Sequence, residues 1–95
     1  MYMTVRRYEG VPNPGDAAVQ VNESFVPIIS QIRGFLGYYW ADAKNGTMTS
    51  VSIFQDQVGA EESNNKAVEW VKQHPGVLPK AAQITAGEVV AHKAK

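Results

Sequence analysis

The sequence predicts an α+β fold, with a four-stranded antiparallel sheet carrying two helices on one face. Three observations carry that prediction. The stretch from Arg33 to Asp56, RGFLGYYWADAKNGTMTSVSIFQD, reads as a β-hairpin turning at Asn45-Gly46. A helical apolar stripe precedes the hairpin and a second follows it. Each end of the 95-residue chain carries a strand-like segment, which completes a β-α-β-β-α-β order.

Residues 2 to 9 alternate weakly, with Met3 and Val5 opposite Tyr2, Thr4, Arg6 and Tyr8, as a first strand does. Gly10-Val11-Pro12 breaks it, and Asn13-Pro14-Gly15-Asp16 starts a helix. Asn13 caps it, Pro14 suits the first helical position and Asp16 complements the dipole. Ala18, Val21, Phe25, Ile28, Ile29 and Ile32 form its stripe, which ends at Gly34. Pro27 lies inside the stripe and predicts a kink between Glu23 and Pro27, because it removes one backbone hydrogen bond and crowds the preceding turn. The kink either follows the curvature of the sheet or lifts the helix enough to open a cavity.

A two-residue loop at Asn45-Gly46 sets the hairpin register by counting outward: Trp40 opposite Val51, Tyr38 opposite Ile53, and Tyr39 opposite Ser52. One face then carries Leu36, Tyr38, Trp40, Val51 and Ile53. The other carries Tyr39, Met48, Ser50, Ser52 and Phe54. Large apolar groups on both faces require two covers, one from the helices and one from outside the protomer. Asp56 caps the second helix, whose first turn is expected to hold Glu61 and Glu62. Its inward stripe runs through Ala60, Ser63 or Asn64, Ala67, Trp70, Val71 and His74. His74-Pro75-Gly76 stops it, and ITAGEVVAHKAK is the last strand. The order is that of a ferredoxin-like domain spanning residues 1–95, and two sheets packed face to face in a homodimer would cover the open side.

An apolar share of 44% suffices for a core, and nine basic residues balance nine acidic ones, so the electrostatic footprint of a nucleic-acid binder is absent. Arg33-Gly34-Phe35-Leu36-Gly37-Tyr38 echoes an RNA-binding motif, but on the second strand rather than the third and without a basic excess. With no cysteine there are no disulfides, thiolate metal sites or thiol nucleophiles. Two isolated histidines, His74 and His92, give no metal signature, and no cofactor is expected. No apolar run approaches a membrane span and no signal-peptide pattern opens the chain, so the expected location is the cytoplasm.

Gly34-Phe35-Leu36-Gly37-Tyr38-Tyr39 after a long first helix, and Ser52-Ile53-Phe54-Gln55-Asp56 leading into the second, resemble small dimeric α/β-barrel proteins of the antibiotic-biosynthesis-monooxygenase type. Glu61-Glu62-Ser63-Asn64-Asn65 with Ala67-Val68-Glu69-Trp70-Val71 is similar to an uncharacterised branch of that superfamily. The resemblance implies a ferredoxin-like protomer, a dimer whose two sheets form a barrel, and a pocket between helices and sheet. The superfamily includes haem degraders with an asparagine on the first strand. Residues 2 to 9 contain none, and Trp70 and His74 are more closely spaced than in those enzymes. Its cofactor-independent oxygenases orient an activatable aromatic substrate with Asn, Trp, Tyr and Arg side chains.

His74, or else a tyrosine, is the candidate general base, and for His74 the plainer role is closing its own helix. Arg6 and Asn64 are candidate donors to a developing oxyanion. Arg6 and Arg7 point to opposite sides of the first strand, so one enters a covered face. There it either pairs with Glu88 or holds an anionic substrate oxygen. Tyr8, Tyr39, Ser50, Ser52, Phe54 and Trp70 are candidate ligand-binding residues, since small hydroxyls beside rings leave space and offer hydrogen bonds. The expected capacity is binding a small, partly aromatic organic molecule; if the protein is catalytic, cofactor-independent oxidation is its chemistry. The alternative is a non-catalytic homodimer whose interior its own side chains fill.

Overall fold

The structure, a computed structural model, describes residues 1–95. Strand β1 spans Tyr2–Tyr8, β2 Phe35–Asp42, β3 Met48–Phe54 and β4 Gln83–Glu88. They form one antiparallel sheet in the order β2-β3-β1-β4. The first helix is interrupted: α1 (Pro14–Gln20) passes through a π-helical turn, Val21–Phe25, into α2 (Val26–Ile29). The other helix is α3 (Gln57–Gln73). This is the predicted ferredoxin-like arrangement. No helix is long and apolar enough to cross a membrane.

Local signals account for the element boundaries. Asn13 Oδ1 accepts from the Asp16 amide at 3.1 Å and Asp56 Oδ1 from the Gly59 amide at 3.1 Å, each relieving an unpaired donor at a helix start. The expected irregularity before Pro27 takes the form of the π turn. Val26 N–H reaches back five residues to Val21 O, which fits a chain in which residue 27 has no amide proton. The first helix stops at Ile29, short of the expected Gly34, and a turn carries the chain to Gly34, whose φ of +85° is a conformation that glycine adopts freely. Because α3 begins at Gln57, Glu61 and Glu62 fall outside the first turn, which contains no acidic residue.

Phe25, Ile29, Phe54 and Trp70 are buried in the core between sheet and helices. Each such side chain contributes on the order of 1.5–3 kcal/mol by leaving water. Ser24 Oγ, from the π turn, accepts from Trp70 Nε1 at 3.0 Å and ties the two helices together.

Two further expectations are corrected. The hairpin loop has three residues, because Lys44 joins Asn45 and Gly46. All three have positive φ, and the loop closes on an Ala43 N–H to Thr47 O bond of 2.9 Å. Asp42 Oδ1 accepts from Lys44 N at 2.8 Å and stabilises the wider turn. The register therefore shifts by one: Trp40 pairs with Ser50, Tyr39 with Val51 and Tyr38 with Ser52. A one-residue shift exchanges faces, so Tyr38 and Trp40 share the helix side with Met48, Ser50, Ser52 and Phe54, and Tyr39 moves to the open side. A bulge between Phe35 and Gly37 leaves Leu36 half exposed. The last strand stops at Glu88, opposite Tyr2, because β4 pairs only with β1 and that strand is then used up.

Candidate functional site

The helix-facing row of β1 is its polar one: Thr4, Arg6 and Tyr8 are buried, while Met3 and Arg7 on the other side are exposed. Opposite them across the ladder stand Ser52, Ser50 and Met48 of β3, and beyond those Tyr38 and Trp40 of β2. Alternation along three strands thus places a band of hydroxyls and ring edges under the helices, with Arg6 in its middle.

Arg6 has no solvent exposure. Its Nη2 donates to Ser52 Oγ at 2.6 Å, and its Nη1 to Asn64 Oδ1 at 2.8 Å and Ser63 Oγ at 3.3 Å. Thr4 Oγ1 donates to the same Asn64 oxygen at 2.9 Å, and the Ser63 hydroxyl donates to Ala60 O at 2.7 Å. The guanidinium carbon stands 5.7 Å from the centre of the Phe25 ring, within cation–π range. Every one of these partners is neutral. The pairing with Glu88, one of the two readings of an inward arginine, does not form: Arg6 lies opposite Ile84, and Glu88 lies opposite Tyr2. The ion pairs present, Arg7–Glu9 at 3.0 Å and Lys44–Asp42 at 3.9 Å, are at the surface. A buried cation is ordinarily paired, because its desolvation otherwise goes uncompensated. Three further buried polar atoms lack a hydrogen-bond partner, Arg6 Nε, Trp40 Nε1 and Ser50 Oγ.

Burial pushes the Tyr8 and Tyr38 phenols above their ordinary range, against the opposing pull of the Arg6 charge. Both are therefore protonated at neutral pH and unsuited to act as bases there. Around them the rings interlock: Tyr8 meets Trp40 at 5.5 Å between centroids, and Phe25 meets Tyr38 at 6.0 Å and Trp70 at 5.9 Å.

Two cavities flank this band. One, of about 530 Å³, lies between the first helix and β2 and is walled by Val21, Val26, Phe35, Tyr38 and Trp40. The other, of about 240 Å³, lies between α3 and β4, with Arg6 and Tyr8 in its wall beside Val71, Leu78 and Ile84. The exposed groove beside Pro27, lined by Gln31, Glu62 and Lys66, is polar and lies on the outer side of the helices.

The residues singled out from the sequence fall into three groups. Arg6, Asn64, Ser52, Ser50, Tyr8 and Phe54 do share the helix-covered interior, and Arg6 and Asn64 touch. Trp70 is there as well, as a core ring bonded to Ser24. Tyr39 is a correction: 66% exposed on the open face, it does not sit beside the serines, because the register shift gives that place to Tyr38. His74 is apart from Arg6 and Asn64, ten residues beyond Asn64 and so about 15 Å further along the helix axis. Its Nδ1 donates to Trp70 O at 2.7 Å and its ring stacks on Trp70 at 3.8 Å, the arrangement of a histidine closing its own helix. Tyr38 and Trp40 are the site residues that sequence reasoning misplaced. Asp42, an acceptor two residues before Lys44, was the signal for the wider loop.

No protein-family model matches the chain, and no curated protein does. Solved structures do match. A protein of unknown function from Nitrosomonas europaea superposes with a TM-score of 0.76 at 19% identity, covering 99% of this chain and 93% of its own. A putative antibiotic biosynthesis monooxygenase from Bordetella bronchiseptica gives a TM-score of 0.73 at 15% identity, with 95% and 97% covered. A monooxygenase from Streptomyces coelicolor, solved with the ligand nanaomycin D, gives 0.70 at 12% identity, with 99% and 91% covered. The chain therefore has the ferredoxin-like fold found among antibiotic-biosynthesis-monooxygenase-like proteins. At these identities the likeness establishes fold, not activity.

Proposed function

We propose that this protein binds a small, partly aromatic organic molecule between its sheet and helices. The observation that carries this reading is Arg6, a sealed guanidinium with only neutral partners, in the wall of a mostly apolar cavity, with a second cavity walled by Tyr38 and Trp40 in the same interior. A preorganised cluster of donors in a water-poor interior stabilises charge that develops on a ligand oxygen. The fold shared with monooxygenases makes cofactor-independent oxidation the chemistry to test, in which the carbanion of a substrate that has already lost its proton to solvent meets oxygen. Tyr8 and Tyr38 stay protonated and His74 is remote, so the protein's share would be orientation and electrostatic stabilisation. Fluorescence of Trp40 and Trp70, titrated with quinols, flavonoids and haem, tests binding, and oxygen uptake tests turnover. Saturable quenching by a quinol or flavonoid is the expected result. Silence across the panel would favour the alternative, a non-catalytic homodimer.

The open side of the sheet supports assembly into a homodimer whichever outcome holds. Val5, Val51 and Tyr39 form one row across it, with Met3 and Ile53 in the next, and no element of the protomer covers them. Two such faces packed together would bury both rows.

A further inference from the structure

We propose that the pocket between α3 and β4 takes a small apolar organic acid, held with its carboxylate at the Arg6 end. This rests on the small-molecule reading above and names the ligand class. Arg6 is a full positive charge without an anionic partner, and one of its nitrogens, Nε, makes no hydrogen bond. The pocket that Arg6 helps to wall is otherwise mostly apolar, with Val68 and Val71 on the helix side and Leu78 and Ile84 on the other. Its volume of about 240 Å³ suits a single ring or a short aliphatic chain rather than a polycycle. An apolar body therefore fits most of the lining, and one negative charge fits the part that Arg6 supplies.

Direct contact with the guanidinium is not required. Opposite charges a few ångströms apart attract far more strongly in a protein interior than in water. Tyr8, in the same wall and protonated, adds a phenol of the right polarity. Lys72 lines the pocket too, but on an exposed part of α3, where its charge is hydrated and draws an anion toward the opening rather than fixing it.

Benzoate and hexanoate, each compared with its neutral amide, provide the test, in chloride-free buffer and read by calorimetry and by amide NMR shifts. The expected result is that the acids bind at least about tenfold more tightly than the amides, as attraction between opposite charges in a protein interior implies. Shifts are expected at Val68, Val71 and Ile84. Arg6→Met should remove the preference for the acids, and Lys72→Gln should keep it. Should Arg6→Met fail to fold, Ala82→Phe plugs the same pocket while leaving Arg6 in place, and it should abolish binding. Equal binding of acids and amides would overturn the acid assignment and leave the small-molecule reading standing. So would loss of the preference in Lys72→Gln alone. Equal stabilisation by chloride would reduce the site to an inorganic anion and overturn the apolar part. No binding of either class, alongside quenching by a quinol, would overturn this proposal alone.

Discussion

Asn64 Oδ1 accepts hydrogen bonds from both Arg6 Nη1, at 2.8 Å, and Thr4 Oγ1, at 2.9 Å. One amide oxygen on α3 thus anchors the helix to two residues of β1 and supplies the shortest hydrogen bond to Nη1 of the buried cation. Replacing Asn64 with alanine strips a partner from both donors, one of them charged. The expected loss is about 2–3 kcal/mol of unfolding free energy, read from urea midpoints. Asn64→Asp keeps the acceptor and adds the negative charge that Arg6 lacks, so it should be clearly more stable than the alanine variant. If the two are equally stable, the cation does not need an anionic partner.

Alkaline pH should destabilise the fold through its buried phenols. The pKa values of Tyr8 and Tyr38 are raised by desolvation, so the folded state holds their protons more tightly than the unfolded chain does. Their contribution is complete below the unfolded value of about 10 and is lost as pH rises from there through the raised folded values. Urea stability should therefore be lower at about pH 11 than at about pH 8, with a shallower fall in Tyr38→Phe. An unchanged slope in that variant would place the alkaline loss elsewhere.

Gly59 sits in the first turn of α3, where an added Cβ would lie 2.9 Å from Phe54 Cδ1 and 3.1 Å from Arg33 O. Phe54 is fully buried and the Arg33 oxygen is backbone, so neither can yield easily. Gly59→Ala should cost about 1–3 kcal/mol despite the better helix propensity of alanine. A variant as stable as the parent, by thermal melting, would show that this packing relaxes.

Val51 lies between Val5 and Tyr39 on the open face of the sheet. If that face joins two copies, Val51→Lys buries a charge at the centre of the interface and should convert a dimer into a folded monomer. Light scattering on a size-exclusion peak reads the mass, and circular dichroism confirms that the protomer survives. A monomeric parent protein at micromolar concentration would defeat the idea outright.

Much of the fold was legible in the sequence because its signals are local. Asn13 and Asp56 do cap their helices, and the irregularity expected before Pro27 is the π turn at Val21–Phe25, but the first helix stops at Ile29, short of the expected Gly34. The hairpin was legible, but its register was not. Lys44 adopts φ +72°, uncommon for a residue with a side chain, and that one extra loop residue exchanged the places of Tyr38 and Tyr39.

The candidate site was legible only as a set of residue types. Alternation required one of Arg6 and Arg7 to face inward, but nothing local chose between them or named a partner. Ser52, Ser63 and Asn64 lie 46, 57 and 58 residues from Arg6. The sequence by itself determined the element order, the helix starts and the presence of apolar residues on both faces of the hairpin, since these follow from periodicity and caps within a few residues. The tertiary structure alone decided which face of the hairpin the helices cover. It also decided that Arg6 is sealed among neutral oxygens rather than paired with Glu88. Those outcomes depend on register and helix docking, where a single residue's displacement reverses every side chain.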